Sequence, residues 1–196
     1  MNYQEKNWSG KFGNKYTKRN KKIKKNIFIQ KILKKTGEIK NAFEFGTNVG
    51  NNLDAIKKYK KTIKTYGFEI NKSAYEIAKK KGHSVYNCSV KDKVKIKKKF
   101  DLVFTSGLLI HINPKDLNKV YKNIYLLAKK YILIAEYFSQ DPVAINYRKK
   151  SNLLFKRDFA KELKNKFKLR IVDYGFVWSE DKKHNLDNFN WFLLKK

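Results

Sequence analysis

Two short apolar stretches in this chain each end in an acid, and both acids stand next to residues suited to holding a ligand. In Asn41-Ala-Phe-Glu-Phe-Gly-Thr-Asn-Val-Gly-Asn-Asn52, Glu44 closes a strand. Gly46 and Gly50 then permit a tight turn with close backbone approach, and the helix that follows offers unpaired N–H groups. In Lys64-Thr-Tyr-Gly-Phe-Glu69 a second strand ends in Glu69, 19 residues after Gly50 (69 − 50), the spacing of a carboxylate that grips a ribose. Together the acids frame a nucleoside pocket. The plainer alternative is an ordinary strand–turn–helix connection whose glycines serve only the turn.

The position of the first acid separates two kinds of nucleotide site. A dinucleotide loop, G-x-G-x-x-G, cradles a pyrophosphate, which a neighbouring carboxylate would repel. Here Asn48 stands where the middle glycine would be, and Glu44 points at the diphosphate position. A ligand with a cationic amino-acid end and an adenosine end fits better. S-adenosylmethionine (SAM) is such a ligand, with Glu44 near its ammonium and Glu69 on the ribose hydroxyls.

These residues need elements to position them, and the chain alternates helix and strand signals. A helical stripe over 23–35 precedes the first strand, 41–45. There follow a helix (53–59), a strand (63–68), a helix ended by Gly82 (72–81), strands at 84–87 and 100–105, a helix opened by Pro114 (114–128) and a strand (131–137). The last third gives a helix (156–167) and two strands, 169–178 and 190–194, too close together for a helix between them. The expectation is an α/β, Rossmann-like sheet, mostly parallel and covered on both faces, finished by a C-terminal antiparallel hairpin. Residues 1–36 are expected as an N-terminal helical lid or cap, and 37–196 as one compact domain.

Composition narrows the setting. The 196 residues carry a net charge of +30 from 47 basic and 17 acidic side chains, which by itself suggests nucleic acid or an anionic membrane. Only Arg19, Arg148, Arg157 and Arg170 are arginine, the residue favoured for bidentate phosphate and base contacts, and the lysines are spread through almost every segment. An AT-rich genome accounts for such lysine, asparagine and isoleucine excess. Runs 18–25 and 91–99 are left as nonspecific patches. Cys88 is alone and the histidines at 83, 111 and 184 are dispersed, so no metal centre is expected. The polar N-terminus and the lack of a long apolar run point to the cytoplasm.

With these segments in view, Glu44-Phe-Gly-Thr-Asn-Val-Gly50, Glu69, Phe100-Asp-Leu-Val-Phe-Thr-Ser-Gly-Leu-Leu-Ile-His-Ile-Asn-Pro114 and Tyr131-Ile-Leu-Ile-Ala-Glu-Tyr137 resemble a class I SAM-dependent methyltransferase. More narrowly, Trp8-Ser-Gly-Lys-Phe-Gly13 with Tyr16, Arg19 and Asn20, then Leu154-Phe-Lys-Arg-Asp-Phe159, Val172-Asp-Tyr-Gly-Phe-Val177 and Asn190-Trp-Phe-Leu-Leu194, resemble methylases associated with pseudaminic acid biosynthesis. The resemblance implies a seven-stranded sheet, SAM as cofactor, and transfer of a methyl group to an oxygen or nitrogen of a small acidic sugar or its nucleotide-activated precursor. It departs from the general pattern at Asn48, where many such enzymes have glycine.

On that reading the cofactor is expected to touch Arg19, Glu44, Gly46, Thr47, Asn48, Gly50, Asn52, Glu69, Ile70, Asn87, Cys88, Ser89, Ser106, Gly107 and Leu108. His111 is the candidate base, since its reference pKa lies near neutrality; the competing reading has it packing or capping the helix at Pro114. Glu136 and its neighbour Tyr137 are the other catalytic candidates. Trp8, Phe12, Tyr16, Arg148, Lys156 and Arg157 are candidates for the acceptor, with Arg19 pairing a SAM or substrate carboxylate. The chain is expected as a monomer or homodimer. The alternative from another class is a nucleic-acid-binding methyltransferase or a noncatalytic RNA-associated domain using the lysine surface. Thr105-Ser-Gly-Leu108 is not the N/D-P-P-Y-like motif that holds a flipped base.

Overall fold

The computed structural model describes residues 1–20, 26–148, 150–183 and 186–196. Ile23, most of the basic run 18–25, and His184 lie outside the described residues. In chain order the elements are α1 (Tyr3–Ser9), α2 (Lys11–Asn20), α3 (Asn26–Thr36), β1 (Asn41–Phe45), α4 (Asn51–Tyr59), β2 (Lys64–Phe68), α5 (Lys72–Lys80) and β3 (Ser84–Tyr86). Then come β4 (Phe100–Ser106), two 3₁₀ turns (Leu109–His111 and Pro114–Asp116), α6 (Leu117–Leu127), β5 (Ala128–Glu136), β6 (Val143–Tyr147), β7 (Lys150–Lys156), α7 (Phe159–Phe167), β8 (Arg170–Val177) and β9 (Phe189–Lys195).

The seven-stranded sheet has the order β3-β2-β1-β4-β5-β9-β8. β1 through β5 pair in parallel, and β9 runs antiparallel to both β5 and β8, so the expected reversed hairpin closes one end. Strand alternation sends Phe43, Phe45, Val103, Ile132 and Ile134 into a core under α6 and α7. Ala42, Leu102, Phe104, Leu133 and Trp191 go to the other face, beneath α3 and α4. Both faces are covered, which is why these strands read as near-continuous apolar runs.

Several boundaries differ from the sequence expectation. The helix expected over 114–128 begins as a 3₁₀ turn capped by Asn113, whose side chain accepts from the Lys115 N–H, and gives way to β5 at Ala128. The helix expected from 156 starts at Phe159, because Asp158 caps it by accepting from the Lys161 N–H. Residues 143–156, not expected as strands, form the separate hairpin β6–β7. Within the expected cap of residues 1–36, α3 behaves differently from α1 and α2. It buries Phe28, Ile29, Ile32 and Leu33 in the core with α4, whereas α1 and α2 lie across the carboxyl ends of the strands.

The two N-terminal helices are fastened there by specific groups. α1 opens with a capping box between Asn2 and Glu5. Gly13 allows α2 to meet α1, since a Cβ there would sit 1.8 Å from the Trp8 carbonyl oxygen. Asn71, after β2, donates to the Trp8 carbonyl (3.1 Å) and to Asn14 Oδ1 (2.8 Å). Asn51 donates to the Asn20 carbonyl (2.9 Å), and Gln4 donates to the Asn152 carbonyl of β7 (2.9 Å).

Candidate active site

At the carboxyl ends of the parallel strands, under α1 and α2, lies a cavity of about 620 Å³. β1 and β2 are in register from Asn41↔Lys64 to Phe45↔Phe68, so Glu44 is level with Gly67 and Glu69 follows just past the end of the adjacent strand; both line the cavity. Glu44 is buried and accepts a short hydrogen bond from Asn52 Nδ2. The loop between them turns through Gly46 (φ 76), Asn48 (φ 47) and Gly50 (φ 81). Asn48 thus takes the left-handed conformation that a glycine would supply; asparagine tolerates it, and Thr17 Oγ1 on α2 donates to its Oδ1 (3.1 Å).

Glu69 accepts from the Asn48 N–H at 2.6 Å and from the Asn71 N–H at 2.8 Å. Burial pushes its carboxyl above the usual range, and the amides of Asn71, Asn48 and Ile70 oppose that. Asn87 does not line the cavity. It donates instead to the carbonyls of Glu69 (2.8 Å) and Ile70 (3.2 Å), shaping the turn that carries the acid. Gly50 also lies outside the wall, its α-carbon turned toward the ring of His83. Cys88 is off the wall too, its thiol pushed up to about 12, first by burial. Thr47, Asn52, Ile70, Ser89, Ser106, Gly107, Leu108 and Arg19 line the cavity.

The opposite wall is built by the turn after β4. Glu136, at the end of β5, is buried and is engaged by backbone. Its Oε1 accepts from Leu108 (3.0 Å) and Leu109 (3.1 Å), and its Oε2 from Ile110 (3.4 Å). Burial raises its pKa to about 7, against the amides and the Thr105 hydroxyl. Its geometry is that of a carboxylate holding the turn Leu108-Leu109-Ile110 in place, and it too lines the cavity.

That turn leads into His111. The ring is buried, its Nδ1 lies 2.6 Å from the Leu153 carbonyl on β7, and its centroid lies 4.3 Å from Trp8 and 5.5 Å from Tyr147. A carbonyl accepts only, so Nδ1 carries the proton and Nε2 keeps a lone pair. Burial pushes the pKa down to about 4, the Leu153 carbonyl opposing, so the imidazole is neutral at pH 7.

Around it stand aromatic residues from three elements. Trp8 meets Phe12 and Tyr16 edge-on, at 5.2 and 5.1 Å. Tyr137 donates to Asp187 Oδ2 (3.0 Å), and burial together with that carboxylate holds its phenol protonated. Tyr16 is pushed up to about 12, first by burial. Arg19 on α2 lies over Tyr16 (5.8 Å) and Arg148 after β6 lies over Tyr147 (5.7 Å), and both guanidinium-bearing residues line the cavity. Phe12, Lys156 and Arg157 do not line it. Phe12 backs Trp8 and Tyr147, Lys156 sits over Tyr137 (5.5 Å), and Arg157 is held by Glu162 on α7 at 3.1 Å.

Sequence reasoning missed Asn71, Tyr147, Asp187 and the clasp of Lys91 with Glu5 (3.0 Å) and Asp116 (3.2 Å) that pins α1 beside the cavity. Asn71, two residues past Glu69, carried the one signal, as an N-cap before α5. Among the described residues no group of three His, Cys, Asp or Glu side chains is placed to hold a metal ion. Nor is any described helix long and apolar enough to cross a membrane.

Residues 43–131, β1 through the start of β5, match a family model described as a methyltransferase domain. A search of curated proteins returns no match. Among solved structures the chain is similar to the Burkholderia thailandensis 1,6-didemethyltoxoflavin-N1-methyltransferase, solved with 1,6-didemethyltoxoflavin and S-adenosylhomocysteine, at TM-score 0.71 and 14% identity over 93% of this chain and 83% of that one. It is also similar to an O-methyltransferase of a trans-AT PKS multienzyme of Brevibacillus brevis, solved with S-adenosyl-L-homocysteine (0.68, 16%, 98% and 79%). A third likeness is to the magnesium protoporphyrin IX methyltransferase of Synechocystis PCC 6803 with bound SAM (0.69, 9%, 100% and 98%). The structural likenesses show the fold, that of class I methyltransferases. With the matched domain spanning the cofactor loops, the chain is a methyltransferase enzyme whose cofactor is SAM.

The residues present fit that cofactor. Asn52 Oδ1 and Trp8 Nε1 are buried without a hydrogen-bond partner, and both residues line the cavity. An acceptor and a donor are therefore left for a ligand with an ammonium, a carboxylate and hydroxyls.

Proposed function

We propose that the protein methylates an oxygen or nitrogen of a small acidic sugar, of the nonulosonic or pseudaminic acid type or its nucleotide-activated precursor, in the cytoplasm. The observation that carries this reading is the pair Arg19 and Arg148. They come from separate elements, they line one cavity over aromatic faces, and neither is ion-paired to an acid among the described residues. A guanidinium in that setting is a ready partner for a carboxylate or phosphate, bidentate and always charged. The faces of Trp8, Tyr16 and Tyr147 supply flat apolar walls for a ring between them.

The cofactor supplies an activated methyl, so the protein's work is alignment, exclusion of water and proton handling. Glu44, Asn52 and the loop Gly46 to Asn48 would hold the amino-acid end, and Glu69 with Ile70 and Ser89 the nucleoside end. Gly107 brings backbone close to the transfer opening. α1 and α2 act as a lid that shuts water out, over a catalytic domain whose core includes α3. His111 Nε2 accepts the proton of the acceptor's hydroxyl or amine; its neutral state and fixed tautomer suit it to that. Tyr137, whose proton is given to Asp187, keeps oxygen lone pairs to orient a hydroxyl or amine hydrogen. Glu136 acts as a positioning residue, through the turn it clamps.

The test is a mass-spectrometric screen for a gain of about 14 daltons, one methylene, with SAM and either nonulosonic acids, their nucleotide-activated forms, neutral sugars or oligonucleotides under the same conditions. Turnover confined to the acidic sugars is the expected result. Methylation of oligonucleotides, or of neutral sugars as fast as acidic ones, overturns the reading.

A further inference from the structure

β8 is an edge strand whose outer side pairs with nothing among the described strands. It exposes Ile171 (50%), Val172 (39%), Tyr174 (67%) and Phe176 (53%), and Trp178 (57%) just beyond it continues the row. Tyr174 stacks on Phe192 of β9 at 6.2 Å, and Phe138 (40% exposed) lies 6.5 Å from Phe192, which widens the strip toward β5. Natural sheet edges are usually guarded by lysine, and this chain has lysine in nearly every segment. Yet residues 169–181 contain none. Of the other long lysine-free runs, 41–56 and 100–114 are mostly buried strand and cavity-lining loop, while 131–148 passes from buried β5 into an exposed stretch that starts with Phe138 of this same strip. At β8 the most expected guard is missing from exposed side chains.

We propose that this edge is where two copies of the chain meet, β8 against β8, joining two seven-stranded sheets into one. The charge of the molecule selects the partner. A surface of net +30 repels its own copy almost everywhere, so self-association needs a patch where lysine charge is absent or neutralised; β8 has no lysine of its own, and Lys35 of α3, which reaches it, is ion-paired to Asp173. A nucleic acid or acidic protein would instead call for lysines on the patch. The strand is also compatible with its own reverse. An antiparallel pairing centred on Tyr174 sets Arg170 opposite Trp178 and Val172 opposite Phe176, with no like charges facing. These side chains stand on the faces of the sheet, so pairing edge to edge covers only their flanks: of roughly 600 Å² exposed per protomer on the six, at about 150–250 Å² for a large aromatic, a part is buried, which makes a weak pair below the range of tight specific interfaces. The hydrogen bonds of the open strand edge add to that.

Sedimentation equilibrium tests this on the full chain from 1 to 100 µM, in 0.1 and 0.5 M salt, with Tyr174→Lys/Phe176→Lys alongside. The expected mass is twice 23.3 kDa at the upper concentrations, with association stronger at 0.5 M salt, where repulsion between the basic bodies is screened. The double variant should stay at 23.3 kDa with wild-type circular dichroism and SAM affinity, since both side chains are exposed. Hydrogen exchange should show β8 amides protected in the wild type at high concentration and not in the variant. A wild type that stays at 23.3 kDa throughout, or a double variant that still pairs, overturns the proposal. So does a monomer whose only change on substitution is lost binding of a single-stranded oligonucleotide, which would assign the face to nucleic acid.

Discussion

His111 allows packing and proton transfer to be separated by pH. In the folded chain burial holds its pKa at about 4, while in the unfolded chain it returns to the ordinary 6.5. Between those values the unfolded state binds more protons, so stability rises with pH across the interval; the contribution is complete above about 6.5 and is lost as pH falls toward 4. At about 1.4 kcal/mol per pH unit the whole gap is worth roughly 3 kcal/mol, and at pH 4.5 about 2.5 kcal/mol is already gone. His111→Asn keeps an N–H donor at the Nδ1 position for the Leu153 carbonyl and cannot take up a proton. Urea unfolding of both proteins at pH 7 and pH 4.5 cancels the acid sensitivity they share, so the stability difference between them should move by about 2 kcal/mol in favour of the variant at pH 4.5. A difference constant to within about 0.5 kcal/mol refutes the buried neutral imidazole. Catalysis is a separate readout on the same variant. If Nε2 takes the acceptor's proton, kcat at pH 7 falls by roughly 10²–10⁴-fold while the Kd for SAM holds, and the acid limb of wild-type kcat/KM lies near pH 4 instead of 6.5. A normal kcat with the stability difference intact assigns His111 to packing alone.

Three further outcomes follow from the site. Glu69→Ala should weaken SAM about 10- to 150-fold in calorimetry, since a charged hydrogen bond is worth roughly 1.5–3 kcal/mol; unchanged affinity in a folded variant removes Glu69 from the cofactor site. Arg19→Ala and Arg148→Ala should each raise KM for an acidic acceptor about tenfold or more with a smaller effect on kcat, and neither should alter the rate with a neutral analogue. Equal losses with both acceptors would refute their role as anion partners. Gly46→Ala forces a side chain onto φ 76 with its Cβ 2.8 Å from Leu108 Cδ1; a cost of about 1–2 kcal/mol, a melting temperature lower by about 2–8 °C, and weaker SAM binding are expected, and an unchanged melt would refute the constraint.

The sheet was legible in the sequence because strands buried on both faces carry apolar centres, Leu102-Val103-Phe104 in β4 and Tyr131-Ile-Leu-Ile-Ala135 in β5, with turns at their ends. The hairpin β6–β7 was not, and for the opposite physical reason. Its first strand, Val143–Tyr147, has no fully buried residue, so no alternation marks it, and the placement of Tyr147 beside His111 went unsuspected with it. The lid's attachment was hidden for another reason: it rests on asparagine side chains, Asn51 and Asn71 among them, reaching backbone carbonyls far away in sequence.

The acids at the strand ends show most clearly where reading by residue type stops. Glu44, Glu69 and Glu136 carry the same signature, a carboxylate at or just beyond the end of an apolar strand. Their surroundings divide them. Glu44 meets a side-chain amide, Glu69 two backbone N–H groups of the loops flanking it, and Glu136 three N–H groups of the turn after β4. That turn is Glu136's neighbour only because β4 and β5 pair in the sheet, with Ser106 level with Ala135. With three amides on it, Glu136 has about one acceptor site left and is spent on holding its turn, while Glu69, shared between two loops, keeps about two for a ribose. Catalytic and supporting acids therefore part company at the level of sheet order, which local sequence does not encode: Glu69 takes one N–H from the loop after β1 and one from its own, and keeps lone pairs for the cavity, while Glu136 meets the turn after the neighbouring strand with both oxygens.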